Sequence, residues 1–125
     1  MLHGTGTDII KIDHLKPFLE RLDDPFIQKT YTSSELELIL SRPTPLNSLA
    51  TRFAGKEAVF KCLGVHGNTV LLNEIEILEN TVGQPTVTLL GKAKDTADHL
   101  GIVLISISLS YDTDYAIAFA VSEKI

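Results

Sequence analysis

The last quarter of the chain limits its fold more than any other stretch. VLISISLS (103–110) and DYAIAFAV (114–121) alternate in side-chain character on either side of a Tyr-Asp-Thr turn. Strict alternation is the period of a half-buried strand, and two such runs joined by a short polar turn form an antiparallel hairpin. Ser106, Ser108 and Ser110 share one side of the first run; Ala116, Ala118 and Ala120 share one side of the second. The expectation is a small sheet face opposite an apolar one bearing Ile105, Ile107, Ile117 and Phe119. A small face lets a helix or a neighbouring subunit come close.

Residues 1–10 supply a further strand, on which Asp8 shares a face with Gly4 and Gly6. Glycine inside a strand marks a bulge or a close approach by a ligand or another backbone, which singles out Asp8. The plainer reading is a solvated Asp at a strand end, or a cap for the next segment. Asp13 precedes HLKPFLERL (14–22), a short helix expected to close at Asp23, Asp24 and Pro25. Thr32 and Glu35 form a capping box before LELIL (36–40), Pro43 stops that helix, and 42–48 is expected as a loop. From Leu49 to Leu63 the spacing predicts the main helix, with Ala50, Ala54, Ala58 and Cys62 in one stripe and Phe53 and Phe60 beside it. Gly64, Gly67 and Asn68 break it. Next come a strand over 73–79, a turn at NTVGQP (80–85), a strand at PTVTLLG (85–91) and a helix closing at Gly101. Helices grouped early and antiparallel strands late make an α+β chain, expected as one domain over 1–125.

Composition narrows the class. The chain is 44% hydrophobic and 22% charged, which is globular rather than disordered or fibrous. No apolar run reaches the roughly 20 residues of a membrane helix, and MLHGTGTDIIKID has neither the basic opening nor the apolar stretch of a secretory signal. The expected location is cytoplasmic. Cys62 is alone, so it forms no internal disulfide, and its apolar setting makes it a small buried hydrophobe. A net charge of −5 repels nucleic acid, and an acidic partner would need a local basic patch. His3, His66 and His99 have no second His or Cys at ligand spacing and are read as surface or turn residues.

RFAGKEAVFK (52–61) holds the densest charge pattern. Glu57 and Lys61 are four apart and side by side on a helix, at the border of the alanine stripe. An exposed pair of this kind contributes only about 0.3–0.5 kcal/mol, and that is the plain reading. The alternative is a phosphate site. Mg²⁺ is commonly held by one or two carboxylates and fills its other positions with water and phosphate, a role for Asp8 and Glu57. Lys61 would then reach a phosphate oxygen as a point charge, with Arg52 and Lys56 adding positive charge.

GTGTDII (4–10), RFAGKEAVFK (52–61), NEIEIL (73–78), GQP (83–85), GKAKDTADHLG (91–101) and SLSYDTDYAIAFAV (108–121) together resemble the holo-acyl-carrier-protein synthases, the small class of 4′-phosphopantetheinyl transferases. The resemblance runs in register over nearly the whole chain. It implies the 4′-phosphopantetheinyl transferase fold, an antiparallel sheet packed with helices, assembled as a homotrimer with active sites between subunits. It also implies Mg²⁺-dependent transfer of the phosphopantetheine arm of coenzyme A to a serine of an apo acyl carrier protein in fatty acid biosynthesis, releasing adenosine 3′,5′-bisphosphate. Carried over by residue, Asp8 and Glu57 would be metal ligands and Lys61 would contact the pyrophosphate. Arg52 and Lys56 would hold phosphates, Gly64 and Gly67 would lie in the loop beside the cofactor, and Ser110 and Tyr111 would face the nucleotide. The general base is left to a metal-bound water or a second carboxylate, since Glu57 cannot easily be both tight ligand and base.

The chain departs from the family at two places. Many members carry His where Tyr111 stands, and a phenol stays neutral at pH 7, so a chargeable contact to phosphate is lost. The first helix, offering Lys11, Lys16 and Arg21 as carrier contacts, is offset by Asp13, Glu20, Asp23 and Asp24. These departures keep open a catalytically silent trimeric scaffold that binds carriers. A third reading, a different Mg²⁺-dependent nucleotide enzyme, lacks a phosphate loop of the P-loop kind.

Overall fold

The computed structural model describes residues 1–125, the side chain of Asn68 excepted. Asn68, grouped above with Gly64 and Gly67 as a helix breaker, thus lies outside the described side chains. The C-terminal hairpin forms as expected from β4 (Ile102–Tyr111) and β5 (Tyr115–Lys124). Strand β1 (Leu2–Lys11) pairs antiparallel with the other edge of β5, giving the order β1-β5-β4. The turn is fixed by Asp112, whose Oδ1 accepts the backbone N–H groups of Asp114 at 2.9 Å and Tyr115 at 2.7 Å.

The register set by that turn corrects the expected faces. Ile107 stands opposite Ala120 and Leu109 opposite Ala118, whereas Ser108 stands opposite Phe119 and Ser110 opposite Ile117. Residues directly opposite share a face. The alanines of β5 therefore lie with the isoleucines of β4, and the serines lie with Ile117 and Phe119. A shift of one residue would have produced the expected arrangement, because the side-chain period is two. Ala116, Ala118 and Ala120 are buried, while Ile117 and Phe119 remain 44% and 48% exposed on the outer face.

Helix α3 (Pro45–Leu63) lies across the inner face, against β1 and β5. Gly6 and Asp8 point toward it, since they pair with Ala120 and Ala118. A Cβ on Gly6 would overlap the Ala58 carbonyl oxygen and stand 2.9 Å from the Cys62 nitrogen; one on Gly4 would stand 2.6 Å from the Cys62 oxygen. The Ser122 hydroxyl donates to that Cys62 carbonyl at 2.7 Å. The glycines of β1 thus answer to another backbone, that of α3.

Proline placement explains most other differences. Ile12–Glu20 is a 3₁₀ segment instead of the expected α-helix; the ring of Pro17 inside it would clash with the i−4 carbonyl of an α-helix. Pro25, expected as a stop, opens a further helix, α1 (Pro25–Thr30), capped by Asp24, which accepts from the Phe26 N–H at 2.8 Å. Pro45 likewise opens α3 inside the stretch expected as a loop. Proline suits a first turn, where its missing N–H has no helical partner anyway. In α2 (Ser33–Leu40) both bonds of the capping box form: the Glu35 N–H donates to Thr32 Oγ1 at 3.2 Å and the Thr32 N–H to Glu35 Oε1 at 2.8 Å. β2 (Ile75–Glu79) and β3 (Pro85–Leu89) make a second, two-stranded sheet, and α4 (Gly91–Leu100) ends at Gly101 with φ 78°. One core joins α3 to β2, α4 and the alanine face; another joins the N-terminal half of α3 to residues 12–39.

Replacing Gly6 by Ala tests the backbone contact. The clash is with carbonyl and amide atoms that have no rotamer to yield, so Gly6→Ala is expected to cost about 3 kcal/mol or more in urea unfolding. A loss under about 1 kcal/mol would show that the strand can step away from the helix.

Candidate active site

Asp8 of β1 comes up to Lys61 and near Glu57 of α3 where the strand crosses the C-terminal half of the helix. Lys61 Nζ donates to the Thr7 carbonyl at 2.9 Å and lies 3.4 Å from Asp8 Oδ1. Its side chain is half-exposed, that of Asp8 mostly covered. Glu57, one helical turn before Lys61, is half-buried. Burial pushes its carboxyl above the usual carboxylate range, and the charge of Asp8 adds to that rise against the pull of Lys61. Asp8 is thus near enough to raise Glu57 while pairing with Lys61. Among the described residues no group of three or more His, Cys, Asp or Glu stands together, and a cation held here would have Asp8 and Glu57 as its side-chain donors. That set fits a hard divalent cation such as Mg²⁺, which takes a few carboxylate oxygens and leaves room for water and phosphate. A closed zinc site would need four side-chain ligands.

The remaining charges of RFAGKEAVFK face elsewhere. Arg52 is five positions before Glu57, about 140° around the helix. It lines a cleft of about 400 Å³ with Tyr111, Arg42, Glu79 and Pro85, and none of Asp8, Glu57 and Lys61 lines that cleft. Lys56, expected to add charge at a phosphate, is instead fully buried. Its Nζ is 2.6 Å from Glu35 Oε1 and donates to the carbonyls of Leu72 at 3.0 Å and Ile75 at 2.5 Å. Burial lowers its ammonium, with Glu35 opposing the fall. Ser110 is separated from Tyr111 by the strand's alternation: it pairs with Ile117 on the outer face. Gly64 caps α3 at φ 73°, and Gly67 has φ 62° with nothing within 4 Å of where a Cβ would stand, so the loop after α3 is open there. Cys62 is buried as expected, and burial pushes its thiol up to about 11. His3 is half-buried, its Nε2 3.0 Å from the Leu63 carbonyl. Lys11, Lys16 and Arg21 are exposed.

Comparison with known proteins gives the family. The family described as the 4′-phosphopantetheinyl transferase superfamily matches residues 4–120. The chain belongs to that superfamily. A holo-[acyl-carrier-protein] synthase of Ruminiclostridium cellulolyticum is 45% identical over 118 residues, covering 93% of this chain and 88% of the relative. The crystal structure of the holo-[acyl-carrier-protein] synthase of Neisseria meningitidis superposes with a TM-score of 0.87 at 31% identity, over 99% of this chain and 100% of that one. The Helicobacter pylori synthase in complex with coenzyme A superposes at 0.81 with 30% identity, over 95% of this chain and 99% of that one. The α+β architecture is therefore that of the synthases, and the chain is a transferase.

Two residues of this transferase's clefts escape a reading by spacing. Arg42 falls in the stretch expected as a loop, and Glu79 ends an ordinary alternating strand. Glu35 is legible as a capping residue, but its second bond, from the Ile77 N–H at 2.7 Å, joins segments 42 residues apart.

The carboxylate pair makes a prediction independent of turnover. A carboxyl raised in the fold resists ionisation, so its destabilising effect grows as pH climbs through the raised value and vanishes in acid. In metal-free protein Glu57→Gln is expected to raise the melting temperature at neutral pH by a few degrees, with no difference near about pH 4. Mg²⁺ should stabilise the parent protein and leave the variant unmoved. A variant melting below its parent at neutral pH would show that Glu57 is already satisfied without a cation.

Proposed function

We propose that this transferase moves the 4′-phosphopantetheine arm of coenzyme A onto a serine of an apo acyl carrier protein, with Mg²⁺ on Asp8 and Glu57, and releases adenosine 3′,5′-bisphosphate. The observation that carries the reading is the convergence of Asp8, Glu57 and Lys61 on one edge of α3, in a chain similar to a synthase solved with coenzyme A. The serine hydroxyl gives its proton to a water or a carboxylate at the site and its oxygen forms a bond to the β-phosphorus, as the bond from that phosphorus to the bridging oxygen breaks and charge grows on the departing phosphate. Bound Mg²⁺ would supply positive charge to those oxygens. Lys61 is placed to do the same from the protein side. Its ammonium is half-exposed and, among the described residues, shares one carboxylate and one carbonyl, so it has a donor left for a phosphate oxygen. Charge that develops only in the transition state is met there by a fixed cation, which raises kcat more than affinity.

The reading extends to assembly and setting. One copy holds the carboxylate pair and the arginine cleft on different sides of α3, and its outer sheet face leaves Ile9, Ile117 and Phe119 uncovered. Closing that face by three copies would bury it and bring one copy's cleft toward another's carboxylates. The single 1–125 domain would act in the cytoplasm, in fatty acid biosynthesis, with Lys11, Lys16 and Arg21 meeting the acidic carrier. Among the described residues no helix is long and apolar enough to cross a membrane.

Incubation with coenzyme A, Mg²⁺ and an apo carrier is expected to add the mass of the arm to the carrier. Lys61→Ala should lower kcat roughly 10²–10³-fold while the protein stays folded. No mass gain with several carriers, despite tight coenzyme A binding, would leave the silent scaffold. For assembly, Phe119→Lys is expected to turn a trimer into monomers in sedimentation. A variant that sediments as its parent does would place the interface elsewhere.

A further inference from the structure

Glu79 ends β2 between two arginines. One of its carboxylate oxygens pairs with Arg42, and the other lies 3.5 Å from Arg52 Nη2. Arg52 is only 6% exposed, and its Nε has no hydrogen-bond partner among the described residues. A buried guanidinium with an unmet donor and one long contact to its counter-ion is under-compensated, because a desolvated charge needs its donors filled. The like charge of Arg42 makes this worse. The first turn of α3 meets the same cleft: Thr44, its N-cap, makes no side-chain capping bond, and Thr44, Asn47 and Ser48 all line the cavity. An uncapped helix N-terminus presents free N–H groups and the positive end of the helix dipole. Positive charge thus exceeds negative in a space of about 400 Å³, with two guanidinium groups and the Glu79 carboxylate lining it.

We propose that Glu79 is the internal anion of this cleft, holding Arg42 and Arg52 in the arrangement that a phosphate monoester of the ligand takes over, so that the ligand binds by displacing the carboxylate. The inference rests on the nucleotide-bearing co-substrate proposed above. A phosphate has the geometry to replace the carboxylate: guanidinium forks bind either anion in bidentate fashion, and a phosphate adds a third oxygen and a second charge. Glu79 has a route out, as it is partly exposed at a strand end beside the 80–84 turn. Its presence lowers the affinity of substrate and product alike by the cost of breaking its pairing. Binding shared equally by both states changes KM and product retention without assisting the chemical step. Glu79 is in this sense an affinity-setting residue and keeps the nucleotide product from lingering.

The test is calorimetric binding of adenosine 3′,5′-bisphosphate, with adenosine as the phosphate-free control. Glu79→Gln keeps the side chain's shape and removes its charge. It is expected to bind the bisphosphate roughly tenfold more tightly than the parent, to bind adenosine no differently, and to show a KM for coenzyme A lowered by a similar factor. Unchanged or weaker bisphosphate binding would overturn the proposal and make Glu79 a residue that merely positions the arginines. Transfer by the parent with no tightening in the variant would defeat this inference alone. Tightening in the variant without transfer by the parent would defeat only the proposed function. Failure of either protein to bind the bisphosphate would defeat both.

Discussion

The site depends on a helix backbone lying directly on a strand backbone. Gly4 and Gly6 leave nothing between β1 and the segment of α3 around Ala58 and Cys62, and Ala118 and Ala120 on β5 keep the neighbouring surface low. Asp8 is the next inward-facing residue along β1, so this approach delivers its carboxylate to the helix edge that carries Glu57 and Lys61. A side chain at position 6 would push α3 away and carry Lys61 and Glu57 from Asp8. Small residues here act by permitting distance to shrink, which no count of favourable contacts records.

The opposite side of α3 is fixed by chemistry of another kind. Lys56 and Glu35 are both fully buried, and between them they accept from or donate to four backbone groups in three segments: Thr32, Leu72, Ile75 and Ile77. Such a pair adds little net stability, since desolvation takes back much of the Coulomb gain. Its effect is positional. An ammonium that must satisfy two carbonyls and one carboxylate tolerates little rotation of its helix, and that rotation sets where Glu57, one residue on, points. The Tyr31 hydroxyl, donating to the Leu49 carbonyl at 2.8 Å, and the Tyr31 ring beneath the Lys56 ammonium complete the same anchorage.

How much of this the sequence discloses depends on the range of the interaction. Alternation, capping boxes and glycine stops are local, and the hairpin, α2 and the ends of α3 and α4 come from them. Proline is local too but ambiguous, because Pro25 and Pro45 read equally as stops and as first residues of helices, and only the chain beyond them decides. The pairing of the serine face with Phe119 is set by one residue of register, which alternation alone leaves undetermined. Within RFAGKEAVFK the helix and its spacing are legible, and so is the candidacy of Glu57 and Lys61. Which charge is buried is not: Lys56 and Lys61 are identical in type and about one and a half turns apart, and their fates differ because Glu35 stands opposite only one of them. Glu79 illustrates the same limit, since its significance comes from Arg42 and Arg52, 37 and 27 residues away.

The two unsettled charge centres are complementary. At Asp8 and Glu57 there is too much negative charge for the one ammonium present; at Arg42 and Arg52 there is too much positive charge for the one carboxylate. Neither centre can relieve the other, because α3 turns them to different sides and the arginine cleft excludes all three residues of the first group. On the function proposed above, a polyanionic ligand accompanied by a divalent cation would relieve both: the cation would meet the carboxylates of one copy, and phosphate would meet the arginines of another. Coenzyme A with Mg²⁺ has that charge pattern along one molecule, with a pyrophosphate and a separate phosphate monoester. A protein that stores unrelieved charge of opposite sign at two places loses folding stability at each and recovers it only when such a ligand arrives. Binding energy is thereby concentrated on ligands that carry both features.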